Sequence, residues 1–98
     1  PKQPPRTQTR VQLDHDRKSS MEINLLGYTV EEALGEVDKF IDNAVLRNQQ
    51  TIYIIHGIGT GALRTAIQKH LRTHKAIKSF RLGRYGEGEA GVTVAELK

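Results

Sequence analysis

Residues 51–64, TIYIIHGIGTGALR, decide how the rest of this 98-residue chain is read. Ile52, Tyr53, Ile54 and Ile55 form an apolar run; His56 follows, then glycine at alternate positions, then a segment of helix formers. The order predicts a strand, a tight turn and a helix. A continuous apolar strand of this kind is expected to be buried on both faces of a parallel sheet, with a ligand beyond its carboxyl end. Gly57, Gly59 and Gly61 permit positive φ and close approach of a ligand to the backbone, and the unpaired N–H groups of the helix start face the same gap. Such a junction is either a structural turn or an anion site. His56 ahead of the turn and Arg64 in the first helical turn favour the anion.

The spacing disfavours nucleotide cofactors. A Walker A loop needs Lys and then Ser or Thr after its last glycine, and here Ala62 and Leu63 follow Gly61. A dinucleotide fingerprint reads G-x-G-x-x-G with an acidic residue on the next strand, whereas this loop reads G-I-G-T-G without one.

Charge points the same way. From Asn43 to Gly86 there is no Asp or Glu, while Arg47, Arg64, Lys69, Arg72, Lys75, Lys78, Arg81 and Arg84 supply eight positive charges. The segment 29–46 is acidic, with Glu31, Glu32, Glu36, Asp38 and Asp42 against Lys39. A net charge of +4 divided this unevenly favours a polyanionic partner, DNA or RNA. Lys69, Lys78 and Arg84 are the expected backbone contacts, and Tyr85, between Arg84 and Gly86, is the aromatic best placed to stack on a base. Tyr53 is expected in the core.

The length is that of one domain. The chain has no cysteine, so disulfides and thiolate metal sites are unavailable. No apolar run approaches the ~20 residues of a membrane span, and nothing has the build of a signal peptide; a cytoplasmic protein, not a membrane one, is expected. A start at Pro1 rather than Met suggests a piece of a longer protein. Residues 1–20, with three prolines and net charge +3, read as a basic linker or arm, in which Val11 and Leu13 alone are sizeable and apolar. Residues 21–98 are the domain.

Within it, Met21 to Leu25 alternates as a short strand ending at Leu26-Gly27. Thr29 and Glu32 form a capping box, and Val30, Ala33, Leu34, Val37, Phe40, Ile41, Ala44 and Val45 follow at helical spacing. A second helix is expected over 61–74. Strands are expected at 77–82 and 91–97, joined by a mobile Gly-rich connection over 83–90. The order β-α-β-α-β-β predicts a two-layer α/β sandwich with a four-stranded mixed sheet and right-handed crossovers. Whether both helices share one face is left open by spacing. No exposed apolar patch is evident. His70 and His74 lie four apart but lack a Cys or acidic third ligand in sequence, and His70 reads as a stripe residue.

His56 to Arg64 (HGIGTGALR) resembles the H-G-x-G-x-G-x-L-R motif of the small MutS-related (Smr) domain. Ile23-Asn24-Leu25-Leu26-Gly27 with Glu32-Ala33 resembles its first motif, L-D-L-[HR]-G-x-x-x-x-E-A, and Gly91-Val92-Thr93-Val94 its last strand, as in the second bacterial MutS paralogue. The resemblance implies a fold like the C-terminal domain of bacterial translation initiation factor three. It also implies endonuclease activity, nicking DNA or cleaving RNA, in the C-terminal domain of a MutS-like ATPase that suppresses recombination and rescues stalled ribosomes, with ATP bound elsewhere in the longer chain. The first motif usually has Asp at Asn24 and His or Arg at Leu26, positions proposed for catalysis. Asn24 can hydrogen-bond but is neither a base nor a strong cation ligand, and Leu26 does neither.

For phosphodiester cleavage the residues offer His56 for proton transfer, Arg64 and the Gly57, Gly59 and Gly61 N–H groups for charge stabilisation, and Thr60 as a positioning hydroxyl. Asn24, Leu26 and Gly27 form the first-motif wall. No carboxylate cluster near the motif suits two metals, so no metal or other cofactor is expected in this domain, and Glu87 or Glu89 is a conceivable second acid or base. The alternative is a non-catalytic DNA, RNA or ribosome-binding module using the same phosphate site.

Overall fold

The computed structural model describes residues 20–98; residues 1–19 of the basic arm, with Val11 and Leu13, lie outside the described residues, and Ser20, the arm's last residue, opens the first strand. Four strands and two helices alternate in the expected order: β1 (Ser20–Asn24), α1 (Val30–Leu46), β2 (Thr51–Ile55), α2 (Ala62–Arg72), β3 (Ile77–Leu82) and β4 (Val92–Leu97). The 83–91 connection ends in a 3-10 turn, Glu89–Gly91.

The strands lie in the order β1-β2-β4-β3. β1 and β2 are parallel, and β4 runs antiparallel to both β2 and β3. The carboxyl ends of β1, β2 and β3 and the amino end of β4 therefore share one edge of the sheet. Expectation and structure part over β2, whose neighbour on one side is antiparallel and whose residues alternate between buried and half-buried. Ile52 and Ile54 are buried, whereas Tyr53 is half-buried on the opposite face and is not core.

That alternation also locates the helices. The buried cluster joins Ile52 and Ile54 of β2 with Ala95 and Leu97 of β4, the α1 residues Ala33, Val37, Ile41 and Ala44, and Ile67 and Leu71 of α2. Since residues two apart on a strand share a face, both helices cover the same side of the sheet. The other side carries the row Glu22, Tyr53, Val94 and Arg81, matched across the four strands. Each fully buried Ile or Leu in the helical layer contributes ~1.5–3 kcal/mol.

Local signals fix the helix starts. Thr29 Oγ1 accepts the Glu32 N–H at 3.2 Å and Glu32 Oε1 accepts the Thr29 N–H at 3.0 Å, the reciprocal box expected for α1. α2 begins differently: its N-cap, Gly61, sits at φ +87° and offers no side chain. The 83–90 connection is not slack. Arg81 makes two bonds to the Glu87 carboxylate, at 2.8 and 3.2 Å, which also accepts the Arg84 N–H at 2.8 Å. Among the described residues no helix is long and apolar enough to cross a membrane.

Candidate phosphate-binding site

The loop between β2 and α2 emerges at the shared strand edge. Gly57, Gly59 and Gly61 all adopt positive φ (+79°, +37° and +87°), as the alternating glycines predict. A turn closed by the Gly61 N–H on the Ile58 carbonyl (2.9 Å) folds the loop back on itself. The Gly91 carbonyl, just before β4, accepts both the His56 and Gly57 N–H groups, at 3.0 and 2.9 Å. That leaves the backbone N–H groups of Ile58, Gly59, Thr60, Leu63 and Arg64 with no acceptor among the described residues. A run of such donors at an uncapped helix start attracts an anion.

A groove of about 340 Å³ opens beside this loop, lined by Tyr28, Thr29 and Val30 on one side and by residues 56–63 on the other. Its two walls differ electrically. α1 carries Glu31 and Glu32 in its first turn, while α2 has no acidic residue there. The Arg64 guanidinium folds back over the loop, 3.2 Å from where a Cβ on Gly61 would stand, and has no acidic partner among the described residues.

His56 is 4% exposed, and both ring nitrogens are engaged inside the protein. A carbonyl can only accept, so Nδ1 carries the proton that it donates to the Gly57 oxygen at 2.8 Å. Nε2 then accepts from the Thr93 hydroxyl at 2.8 Å, and Thr93 accepts in turn from the Gln68 amide at 3.1 Å. Burial, with a smaller contribution from the Arg64 charge, lowers the His56 pKa and keeps the ring neutral, against the raising effect of its bond to Gly57. The chain Gln68–Thr93–His56–Gly57 thus runs from α2 through β4 to the loop.

The first motif reaches the same place because Asn24 pairs with Ile55 in the parallel register. Asn24 Oδ1 accepts the Leu26 N–H at 2.9 Å, so its side chain holds a turn. Leu26 packs over Gly57, where a Cβ would lie 2.7 Å from Leu26 Cδ2. Gly27, at φ +87°, completes the turn into α1. Thr60 is exposed on the loop, where its hydroxyl accepts the Ala62 N–H at 3.3 Å.

The remaining basic candidates are spread out. Arg84 and Tyr85 are exposed at the same edge of the sheet, beyond β3. Lys69 is exposed on α2 about 10 Å along from its start, and Lys78 lies near the opposite end of β3, about 13 Å from Leu82. Glu87 is no second acid or base for this site: Arg81 first, then the Arg84 N–H, lower its pKa to about 2. His70 donates to Asp38 at 2.7 Å, a contact between α2 and α1, with His74 3.7 Å from the same oxygen. The described residues bring together no group of three or more His, Asp or Glu arranged to hold a metal ion.

A family model for the Smr domain matches residues 23–98. The chain belongs to the Smr family. Among curated relatives, the endonuclease MutS2 of Staphylococcus haemolyticus is 58% identical over 77 residues, 79% of this chain and 10% of the relative. That of Acetivibrio thermocellus is 48% identical over 89 residues, 91% of this chain and 11% of the relative. This Smr chain therefore spans about a tenth of the length of the curated relatives it matches. The crystal structure of the Smr domain of Thermus thermophilus MutS2 superposes with a TM-score of 0.78 at 46% identity, covering 80% of this chain and 98% of that one. YdaL, a stand-alone small MutS-related protein from Escherichia coli, shares the fold at 23% identity, with a TM-score of 0.76 over 91% of this chain and 79% of that one.

The sequence motifs accounted for the loop, the first-motif wall and Arg64. They held Thr93 in the last-strand motif without placing it at the site, and they missed Gln68. Thr93 faces the helices from a central strand because of its register with Ile54, and only an alternation count on β4 combined with the strand order would have found it.

Proposed function

We propose that this Smr domain is a sequence-tolerant nucleic-acid-binding module that seats a backbone phosphate on the loop from Gly57 to Arg64 and cuts the phosphodiester held there. The observation that carries the reading is the set of loop and helix N–H groups without an acceptor, beside an Arg64 without an acidic partner, among the described residues. These donors are fixed before substrate arrives, so they stabilise the extra charge of a five-coordinate phosphorus without reorganising. Thr60 orients the phosphate, and His56 holds the Gly57 carbonyl turned away from it. For His56 to transfer a proton, its ring must exchange one of its two internal bonds for the substrate. The MutS2 relatives are named as endonucleases, which supports the reaction class. The roles implied by resemblance, suppressing recombination and rescuing stalled ribosomes, belong to a longer MutS-like chain carrying the ATPase.

One observation favours a second reading. Asn24 is committed to a turn, Leu26 is aliphatic, and both His56 nitrogens are occupied, so none of these three motif residues offers a free base. A domain so arranged binds phosphate without cleaving it.

The test is cleavage and binding of supercoiled plasmid and a structured RNA, with and without chelator, by wild type and Arg64→Gln. Nicking that falls about 10²-fold in Arg64→Gln supports the nuclease. Salt-sensitive binding without cutting supports the second reading. Binding to neither substrate refutes both.

A further inference from the structure

The groove has a wall that a phosphate does not use. Opposite the loop donors stand Tyr28 and Val30, and Ile58 and Leu63 complete the apolar lining. Contrary to the sequence-based expectation, large apolar side chains are exposed together here: Ile58 is 64% exposed and Val30 37%, with Leu26, 55% exposed, packed against Gly57 at the rim. Tyr28 is half-buried and packs on the core, so its ring is held rather than free.

Resting on the phosphate reading above, we infer that this wall receives the base of an unpaired nucleotide, so that the domain's substrate is single-stranded, looped or frayed nucleic acid rather than intact duplex. A duplex turns phosphates and sugars outward and keeps its bases stacked inside. An apolar wall next to a phosphate seat meets only the edges of sugars until a base leaves the stack and offers it a flat face. Charge fixes the direction. Glu31 and Glu32 at the start of α1 repel further phosphates on the Tyr28 side, while Arg64 and, along the same sheet edge, Arg84 draw the backbone the other way. The base lies towards α1 and the strand runs away from it. The volume, about 340 Å³, sits near the lower end of the ~300–1,000 Å³ of small-ligand sites and suits one nucleotide. Stacking on an aromatic tolerates any base, in keeping with a loop that reads only the backbone.

The experiment measures binding by fluorescence anisotropy at two salt concentrations. The probes are labelled 12-mers of DNA and RNA: single strands, the same strands in duplex, and single strands whose central nucleotides are abasic. Wild type is expected to bind the intact single strand about tenfold more tightly than the abasic strand, and more tightly than the duplex. Val30→Ala, at an exposed position of the first turn of α1, and Tyr28→Leu, which keeps apolar bulk, are expected to erase most of the difference while leaving abasic binding and its salt slope unchanged. Equal affinity for intact, abasic and duplex strands overturns the base subsite and leaves the phosphate site standing. Unequal affinity that survives both substitutions also overturns it. Salt-insensitive binding, or none, overturns the phosphate reading and this one with it.

Discussion

Replacing Thr93 by Val keeps the shape of the side chain and deletes the hydroxyl that joins α2 to His56. Gln68, only partly buried, turns its amide towards water. His56 has no such escape: its ring is almost fully enclosed, and Nε2 loses its single donor. A buried acceptor left unsatisfied costs ~1–3 kcal/mol, and the added methyl returns at most ~0.8 kcal/mol. The net loss is centred on ~1 kcal/mol. With a urea m-value of ~1 kcal/mol/M for a domain this small, the midpoint should fall by about 1 M. Urea unfolding at pH 7.5 reads this directly, and long-range ¹H–¹⁵N spectra of the wild-type ring should show the proton on Nδ1. A midpoint that stays within about 0.3 M of wild type, or a wild-type ring protonated on Nε2, refutes the Gln68–Thr93–His56 relay.

Other measurements test the site and its supports. His56 should titrate below its ordinary value of 6.5; because the folded ring refuses a proton that the unfolded chain takes up, its stabilising contribution is complete above pH 6.5 and declines as pH falls towards the lowered folded value. A ring titration by NMR with a midpoint above 6.5 contradicts this. Glu87→Gln should destabilise the domain above pH 4.5 and lose its effect as pH falls towards 2, since the depressed carboxyl pKa stabilises the folded form only while that carboxylate is ionised; equal destabilisation at both ends of that window would implicate packing instead. Thr29→Ala should cost about 1 kcal/mol through the lost cap, seen as a drop of roughly 4–8 °C in Tm, with no change in the salt slope of nucleic-acid binding.

What was legible in the sequence was whatever is governed by neighbours along the chain. The α1 capping box, the positive-φ glycines and the helical stripe of Ala33, Val37, Ile41 and Ala44 are all local, and each appears as expected. β2 was misjudged because an apolar run such as Ile52–Ile55 does not reveal what lies beside it; its antiparallel partner comes from 37–45 residues further along, and Tyr53 consequently sits on the face away from the helices. Glu87 was misjudged for a similar reason: a Gly-rich stretch suggests slack, whereas one carboxylate bonded to Arg81 and to the Arg84 N–H closes it. At the site, the motif residues assembled as their spacing implied. The engagement of His56 Nε2 depends on Thr93, 37 residues away, and was out of reach.

β4 has a consequence for how the site comes into being. It supplies Thr93, and the Gly91 carbonyl that takes two N–H groups of the loop directly precedes it, so the motif at 56–64 is held by residues the chain makes roughly thirty positions later. β1, α1, β2 and α2 can meet earlier through their own side chains, but the loop's bonds to Gly91 and Thr93 stay unformed until the fourth strand threads between β2 and β3. Contacts of such separation carry a high loop-closure cost and form late. The 56–64 loop is thus expected to acquire its shape only once β4 has docked, and to lose it when β4 is strained.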